Sequence, residues 1–318
     1  MSDIPSFVDI REEGPREGFQ IEPGPISTEN KARLIHELAE TGVREIQTVS
    51  FVNPKRVPGM ADAEAVLGLV QPKEGVRYTA LCMNAKGVER AVNFPLLKLY
   101  GSLITSASEP FLKKNQGIDL TENLTVQRDM VALWQNSNLP IERIAVMAAF
   151  GCNFKGDVSV AEVLASIAQM VELGDELGLA PKIISLADTM AWATPKQIKT
   201  VVGAVREVYP DHKLVLQLHD TRGMGLANAY AGMQMGIDMF DTAVAGLGGC
   251  PFAAHRGAAG NVCTEDLVFL CEEMGIETGI NLEKIIEVGR LAEEIVGHPL
   301  PGKMKVGGSL SHLRATQA

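Results

Sequence analysis

Gln217 and His219 stand two residues apart at the end of an apolar run with the composition of a buried β-strand. Because successive side chains of a strand point to opposite faces, the two residues share one face with Val215. A buried amide and a buried imidazole are costly unless they bind something. The pair is therefore a candidate ligand or proton-transfer site. The alternative is a histidine that only hydrogen-bonds inside the protein.

Polar side chains follow the other apolar runs as well. These residues are Arg16, Glu17, Gln47, Asn84, Ser108, Asp188 and Asn261. One carboxylate, one imidazole and one or two amide oxygens form a donor set that suits Mg²⁺, Mn²⁺ or Co²⁺ better than Zn²⁺, which favours Cys and His. We therefore predict a divalent metal site that includes Glu17, Gln217 and His219. A solvated loop carboxylate is the alternative for Glu17.

A glycine-rich segment, Ala-Gly-Leu-Gly-Gly-Cys-Pro-Phe at 245–252, ends in a cysteine and a proline. Glycines permit positive φ angles and close approach of the backbone to a ligand. We predict that Cys250 acts as a general acid/base whose pKa is set by a nearby metal and arginine. An inert loop thiol is the alternative.

The elements that must position these residues are eight β-rich runs with helical stretches between them. The runs are 6–10, 45–51, 77–82, 97–104, 143–149, 182–186, 213–219 and 239–244. This alternation predicts an α/β fold, a closed (β/α)8 TIM barrel, with an open doubly wound sheet as the alternative. The absence of GxGxxG and GxxxxGK[ST] motifs favours the barrel, in which working residues lie at the C-terminal ends of the strands.

Helical periodicity supports the same organisation. In 27–41 an apolar stripe of Ala32, Leu34, Ile35, Leu38 and Ala39 follows two candidate N-cap residues, Ser27 and Thr28. A further amphipathic helix is predicted at 281–296. We predict one domain, with the catalytic barrel in 1–262 and a helical C-terminal extension in 263–318 packed on it.

The composition narrows the class of protein. The 318-residue chain carries 29 Lys and Arg against 39 Asp and Glu, a net charge of −10. An acidic protein is not attracted to nucleic acid or to an anionic membrane, so neither is expected as a partner. Five cysteines without CxxC spacing indicate reduced thiols, and no apolar stretch is long enough to span a bilayer. We expect a soluble cytoplasmic protein.

At these residues the sequence resembles the 3-hydroxy-3-methylglutaryl-CoA lyase family of metal-dependent TIM-barrel enzymes. The matching segments are 13–20, 50–62, 106–109, 185–189, 219–228 and 244–252. The resemblance implies a Mg²⁺ or Mn²⁺ ion, with Co²⁺ as a further option, that chelates the hydroxyl and carbonyl oxygens of a 3-hydroxyacyl-CoA. It also implies retro-Claisen cleavage to acetyl-CoA and a keto compound, and a homodimer or larger homo-oligomer.

The resemblance also implies roles for individual residues. Arg16 would stabilise the acetyl enolate and Cys250 would protonate it. Glu17, His219 and Asn261 would hold the metal, with Gln217 beside them. The residues expected to bind substrate are Gln20, Gln47, Asn84, Ser108, Asp188 and Arg256.

The sequence departs from the family pattern at several of these positions. Glu17 replaces an Asp, Gln217 replaces the first His of a His-x-His pair, and Gln47 replaces a Glu. Pro23 stands where the family has a Lys that binds the thioester substrate, and the loop from Cys250 to Asn261 is two residues longer. These changes indicate a paralogue with a rebuilt acid/base set.

The longer loop contains His255 and Arg256. We hypothesise that His255 supplies the titrating group lost at position 217, and that Arg256 pairs with a substrate carboxylate or a CoA phosphate. The alternative is a solvated loop pair. Two other functions also stay open: aldol cleavage of a smaller hydroxy or keto acid without CoA, and a non-catalytic ligand-binding paralogue.

Overall fold

A computed structural model describes residues 4–249, 260–311 and 314 of the chain. Eight parallel strands form one curled sheet in the order β3-β2-β1-β8-β7-β6-β5-β4. The strands β1 to β8 span Asp9–Glu12, Glu45–Ser50, Arg77–Leu81, Gly101–Ser106, Ile141–Met147, Ile183–Asp188, Lys213–Leu218 and Met239–Thr242. The two end strands of this order, β3 and β4, meet through the residues that precede β4.

This meeting closes the sheet. Tyr78 of β3 forms a parallel bridge with Leu97, and the backbone N–H of Lys98 donates to the carbonyl oxygen of Tyr78 over 2.8 Å. The guanidinium of Arg77 lies 4.7 Å from the ring centroid of Tyr100 in the same segment. The predicted (β/α)8 barrel is confirmed, and the open doubly wound sheet is excluded. Residue 97 begins this closing segment, so β4 starts later than predicted.

Helices follow the strands and cover the outside of the barrel. The helices α1 to α12 span Gly14–Ile21, Thr28–Ala39, Ala63–Leu69, Ala85–Ala91, Glu109–Gln116, Leu120–Asn136, Val160–Glu176, Pro195–Val208, Gly225–Gln234, Thr264–Glu273, Leu282–Val296 and Met304–Gly307. The Ser27 hydroxyl accepts from the Asn30 N–H at 3.2 Å and caps α2. Leu34, Ile35 and Leu38 of the predicted stripe are fully buried, and each contributes roughly 1.5–3 kcal/mol of transfer free energy.

Strand β1 begins three residues later and ends two residues later than predicted. It pairs with β8 from Asp9 opposite Met239 to Glu12 opposite Thr242. The apolar pattern ends at Ile10, but the charged residues that follow have partners in the interior. Arg11 lies 3.9 Å from Glu45, and the Thr264 hydroxyl donates to Glu12 over 2.5 Å. The later strand places Glu13 at the C-terminal end of the barrel.

The helical C-terminal extension predicted from the sequence is confirmed, and it consists of α10, α11 and α12. Helix α11 contacts α2, α10 and the short turn Val244–Gly246 that follows β8. In the part of the chain that the structure describes, we find no helix with the length and apolar character needed to cross a membrane.

Candidate active site

A tight turn between β1 and α1 places Arg16 and Glu17 over the barrel mouth. The Gly14 N–H donates to Oε1 of Glu12 over 2.7 Å. A Cβ atom on Gly14 would lie 2.6 Å from that oxygen, so a larger residue would displace the Glu12 carboxylate that the turn uses. Pro15 lies in the first turn of α1, where its missing N–H costs nothing. Arg16 and Glu17 are both buried.

Three predicted ligands, Gln217, His219 and Asn261, lie at the end of β7, close to Arg16 and Glu17. After β7, His219 forms an antiparallel bridge with Asn261, and the Val262 N–H donates to the Leu218 carbonyl over 2.7 Å. The segment that follows the eighth-strand loop is therefore held against the end of the seventh strand. Gln217 and His219 face the site, as the strand periodicity predicts.

Glu17 joins these residues. Its Oε1 lies 3.1 Å from Nε2 of His219, and its Oε2 lies 3.1 Å from Nη2 of Arg16. The side-chain amide of Gln217 donates to the same Oε2 over 3.3 Å. One carboxylate thus connects α1 with the end of the seventh strand.

A residue that the sequence analysis missed lies at the centre of the cluster. Oε2 of Glu13 accepts from Arg16 at 3.0 Å, from the Gln217 amide at 2.7 Å and from the Asn261 amide at 3.3 Å. The signal was available in the sequence: two consecutive acidic residues precede Gly14. The predicted first strand ends at Ile10, which leaves both residues in the loop that follows it.

The ionisable groups of the cluster shift one another's pKa values. Burial raises the pKa of Glu13 well above its usual range, although the Arg16 charge opposes the shift. Burial would also raise the pKa of Glu17, but Arg16 and the His219 hydrogen bond outweigh it and lower that pKa. Burial would lower the pKa of His219, but Glu17 raises it. Without a bound cation, Glu17 is the ionised carboxylate and His219 is its partner.

The residues present fit a divalent cation. Nδ1 of His219 lies 3.0 Å from the Asp188 carbonyl oxygen and 2.9 Å from that of Thr189, which fixes the ring with Nε2 toward Glu17. Such a backbone contact is the usual way in which a metal-binding imidazole is oriented. Oδ1 of Asn261 is buried and has no hydrogen-bond partner among the described residues. A carboxylate, an imidazole nitrogen and an unpaired amide oxygen suit Mg²⁺ or Mn²⁺.

Among the predicted substrate-binding residues, Gln47 contacts the cluster directly, whereas Asn84 and Ser108 lie at the starts of helices. Gln47 accepts a hydrogen bond from Nε of Arg16, and Gln20 accepts from the Ser50 hydroxyl at 3.1 Å at the end of β2. Asn84 and Ser108 are N-caps of α4 and α5. Among the described residues, no hydrogen bond or ion pair links either side chain to the cluster.

Asp188 has a supporting position. Its carboxylate accepts from the N–H groups of Trp192 and Ala193 at 2.7 and 3.1 Å, while its carbonyl contacts His219. Burial raises the pKa of its carboxyl to about 6, although His219 acts in the opposite direction. Cys250, His255 and Arg256 lie outside the described residues.

The glycines before Cys250 adopt the predicted conformation. Gly246, Gly248 and Gly249 have φ angles of +72°, +100° and +135°. A Cβ atom on Gly248 would lie 2.8 Å from Cγ of Glu17. The backbone of this segment therefore packs directly on the carboxylate residue of the candidate metal site.

A second group of buried residues consists of Cys263, Glu265 and Asp266. Its two carboxylates accept hydrogen bonds from backbone N–H groups. Oε2 of Glu265 accepts from the Ala245 N–H at 2.9 Å. Asp266 accepts from the N–H groups of Lys303 and Met304 at 2.9 and 2.8 Å. These contacts attach α12 and the turn after β8 to α10.

Comparison with known proteins gives a consistent result. The sequence profile of the HMGL-like family matches residues 8–292. The chain is 38% identical to hydroxymethylglutaryl-CoA lyase YngG of Bacillus subtilis over 299 residues, which are 94% of this chain and 96% of that protein. It is 39% identical to the mitochondrial hydroxymethylglutaryl-CoA lyase of Homo sapiens over 289 residues, which are 91% of this chain and 86% of that protein.

Solved structures agree. An HMG-CoA lyase from Acinetobacter baumannii, in complex with coenzyme A and 3-methylmalate, superposes with a TM-score of 0.84 at 36% identity, covering 97% of this chain and 96% of that one. The Bacillus subtilis HMG-CoA lyase superposes with a TM-score of 0.85 at 35% identity and covers 99% of both chains. Sequence and structure together lead to one conclusion: the chain belongs to the HMGL-like family.

Proposed function

We propose that this protein is a metal-dependent lyase that cleaves a 3-hydroxyacyl-CoA to acetyl-CoA and a keto compound. Its class, a carbon–carbon lyase, follows from its family. The observation that supports the proposed reaction best is that Glu17, His219 and Asn261 are buried together at the barrel mouth. Glu17 also contacts Arg16 there.

Glu17, His219 and Asn261 would hold the cation, and its charge would supply Lewis-acid activation of the substrate's hydroxyl and carbonyl oxygens. The protein holds these three residues in place before substrate arrives. Backbone carbonyls fix the imidazole of His219, and the bridge to the end of β7 fixes Asn261. Such preorganisation avoids a reorganisation cost during the reaction.

The reaction consists of one C–C bond cleavage and two proton transfers, and the proton taken by the base must return to the proton donor before the next cycle. A base takes the proton of the 3-hydroxyl group, the hydroxyl carbon becomes a carbonyl, and the C–C bond breaks with its electron pair on the acetyl fragment. Arg16 would stabilise the resulting enolate, and its guanidinium is already fixed by Glu13, Glu17 and Gln47. Cys250 is the proposed proton donor to the enolate carbon, which completes acetyl-CoA.

The base that starts the reaction is the part that differs from the family pattern. Gln217 cannot transfer a proton at neutral pH, and its side-chain N–H is engaged by Glu13. We retain His255 as the proposed base and Arg256 as the partner of a substrate anion. A His255→Ala variant with wild-type kcat at every pH would contradict this assignment.

The direct experiment is a substrate panel. Purified protein is incubated with Mn²⁺ and a series of 3-hydroxyacyl-CoA thioesters, and released acetyl-CoA is assayed. Acetyl-CoA release with at least one thioester, abolished by EDTA and restored by Mn²⁺, is the expected result. The free hydroxy acids are the matched controls.

Pro23 favours a second candidate, aldol cleavage of a smaller acid without CoA. Pro23 is exposed and offers no charge where the resemblance places a thioester-binding lysine. Cleavage of a free hydroxy acid and of no thioester would support this candidate. Metal binding without turnover of any panel member would support a ligand-binding paralogue.

The remaining assignments are proposals of the same kind. Cys82, Cys152, Cys263 and Cys271 are free and buried, as expected for the reducing cytosol that we propose as its compartment. A homodimer or larger homo-oligomer is proposed from the family resemblance.

A further inference from the structure

Glu13 is a buried carboxylate at the barrel mouth to which the family resemblance assigns no role. It follows β1 directly, and only 5% of its surface is exposed. Its Oε2 accepts hydrogen bonds from Arg16, Gln217 and Asn261 at 3.0, 2.7 and 3.3 Å. It therefore contacts two predicted metal-site residues and the arginine beside them.

The same two donors join Glu13 to Glu17. Nη2 of Arg16 lies 3.0 Å from Oε2 of Glu13 and 3.1 Å from Oε2 of Glu17. The Gln217 amide nitrogen lies 2.7 and 3.3 Å from the same two oxygens. The two buried carboxylates thus share two partners, the guanidinium of Arg16 and the amide of Gln217. Within the described part of the chain, Arg16 is the positively charged side chain that contacts both.

The orientation of Gln217 shows that its side chain cannot replace a metal-binding imidazole. Its amide nitrogen faces the carboxylates. An amide N–H donates hydrogen bonds and does not bind a cation. The site therefore has an amide at position 217, where the family resemblance expects an imidazole, and a second buried carboxylate at position 13. Gln47 beside Arg16 is uncharged.

The surroundings of Glu13 also contain an unused acceptor. Asn261 donates to Glu13 through Nδ2, and its Oδ1 is buried without a partner among the described residues. By holding Nδ2, Glu13 leaves this oxygen available to a cation. A buried amide oxygen without a partner is unfavourable, and a bound cation would supply the missing partner.

We propose that Glu13 supplies the second carboxylate of the metal centre and takes over the place of the first imidazole of the His-x-His pair, with Gln217 as an N–H donor between the two carboxylates. The proposal depends on the metal site of the proposed function. It specifies a site with two carboxylates, one imidazole and one amide oxygen. Such an oxygen-rich site suits Mg²⁺ and Mn²⁺.

The test is a double-mutant cycle read by Mn²⁺ binding without substrate. Free Mn²⁺ is measured by electron paramagnetic resonance for the full-length wild type, Glu13→Gln, Gln217→His and the double variant. We expect Glu13→Gln to weaken Mn²⁺ binding by about 10- to 100-fold. In the Gln217→His background the same change should cost less than about 3-fold, because the imidazole restores the missing donor.

A matched control makes the same chemical change elsewhere. Glu45→Gln removes a largely buried carboxylate that lies next to Arg11 and Arg77, at the start of β2 and away from the barrel mouth. Its Mn²⁺ affinity should stay within about 2-fold of wild type. Circular dichroism verifies the fold of each variant. If Glu13→Gln does not fold, Glu13→Asp withdraws the charge by one methylene and should weaken binding several-fold.

The outcomes separate this proposal from the proposed function. Wild-type affinity in Glu13→Gln or Glu13→Asp overturns the role of Glu13 and leaves the lyase proposal intact. If Glu13→Gln weakens Mn²⁺ binding equally in the Gln217→His background, Glu13 does not take the place of the missing imidazole. A wild-type protein that binds no Mn²⁺ overturns both. The absence of thioester cleavage, with the predicted binding pattern retained, contradicts only the proposed reaction.

Discussion

Nε2 of His219 lies 3.1 Å from Oε1 of Glu17, and the two residues are separated by about two thirds of the chain. This contact joins the helix after the first strand to the end of the seventh strand. Both side chains are buried, so Oε1 of Glu17 and Nε2 of His219 need either each other or a cation as a polar partner.

Removing the imidazole should remove the cation. We predict that His219→Ala weakens Mn²⁺ binding by at least about tenfold and lowers kcat, since one ligand and its orienting contacts are lost. Titration calorimetry measures the affinity. His298→Ala is the control because His298 contacts Glu22 at 2.7 Å on the surface, in the same type of pair. Equal affinities in the two variants would contradict the assignment of His219.

Removing the Arg16 charge should affect the reaction more than the cation. We predict that Arg16→Gln lowers kcat by about 10²- to 10³-fold, the usual cost of losing one donor to a developing oxyanion. Its Mn²⁺ affinity should not fall, because the substitution removes a positive charge beside two carboxylates. The measurements are steady-state kinetics and calorimetry. A kcat within about 3-fold of wild type would rule out a role in enolate stabilisation.

Gly248 tests the contact between the glycine segment and Glu17. Gly248→Ala places a methyl group 2.8 Å from Cγ of Glu17 at a φ of +100°. We predict a loss of about 1–3 kcal/mol in the free energy of unfolding and about tenfold in Mn²⁺ affinity.

Gly156→Ala is the matched control for this substitution. Gly156 has a φ of +92°, and nothing lies within 4 Å of the added Cβ atom. This variant should lose stability through backbone strain and bind Mn²⁺ as wild type does. If Gly248→Ala also binds as wild type does, the segment has no influence on the site.

Glu265 should give stability an unusual pH dependence. Burial raises the pKa of its carboxyl to about 7, so the folded protein binds a proton that the unfolded chain releases near its ordinary pKa of about 4.5. The free energy of unfolding should therefore decrease as the pH rises from about 5 to 7. The contribution of this one group is at most about 3 kcal/mol.

Denaturant titrations at several pH values measure this effect. Glu265→Gln should flatten the curve in that window, because the amide does not titrate. Burial also raises the pKa of Glu12 to about 7. The pH dependence of stability that comes from Glu12 should therefore persist in the variant. A Glu265→Gln curve parallel to wild type would show that Glu265 does not titrate between these pH values.

The sequence predicted the seventh strand and the orientation of its polar side chains because an apolar strand with period-two alternation has a clear pattern. The first strand was less predictable. Arg11 and Glu12 interrupt the apolar pattern, yet both lie inside, where Glu45 and Thr264 provide partners from distant parts of the chain. A charge that is buried with a partner cannot be distinguished in sequence from a charge in a loop.

The role of polar residues at strand ends was equally hard to predict. Ser108 and Asn84 follow strands and were predicted to bind substrate, which stays a prediction, while their side chains cap helices. Asp188 holds the N–H groups of the turn that supports His219. Capping and ligand binding use the same residue types at the same positions, so only the contacts separate them.

An anomalous difference map from a crystal soaked in Mn²⁺ tests the metal site most directly. We predict one strong peak within coordination distance of a Glu17 oxygen, Nε2 of His219 and Oδ1 of Asn261. If a crystal soaked in saturating Mn²⁺ shows no peak among these three residues, the result would contradict the proposal of a metal-dependent lyase.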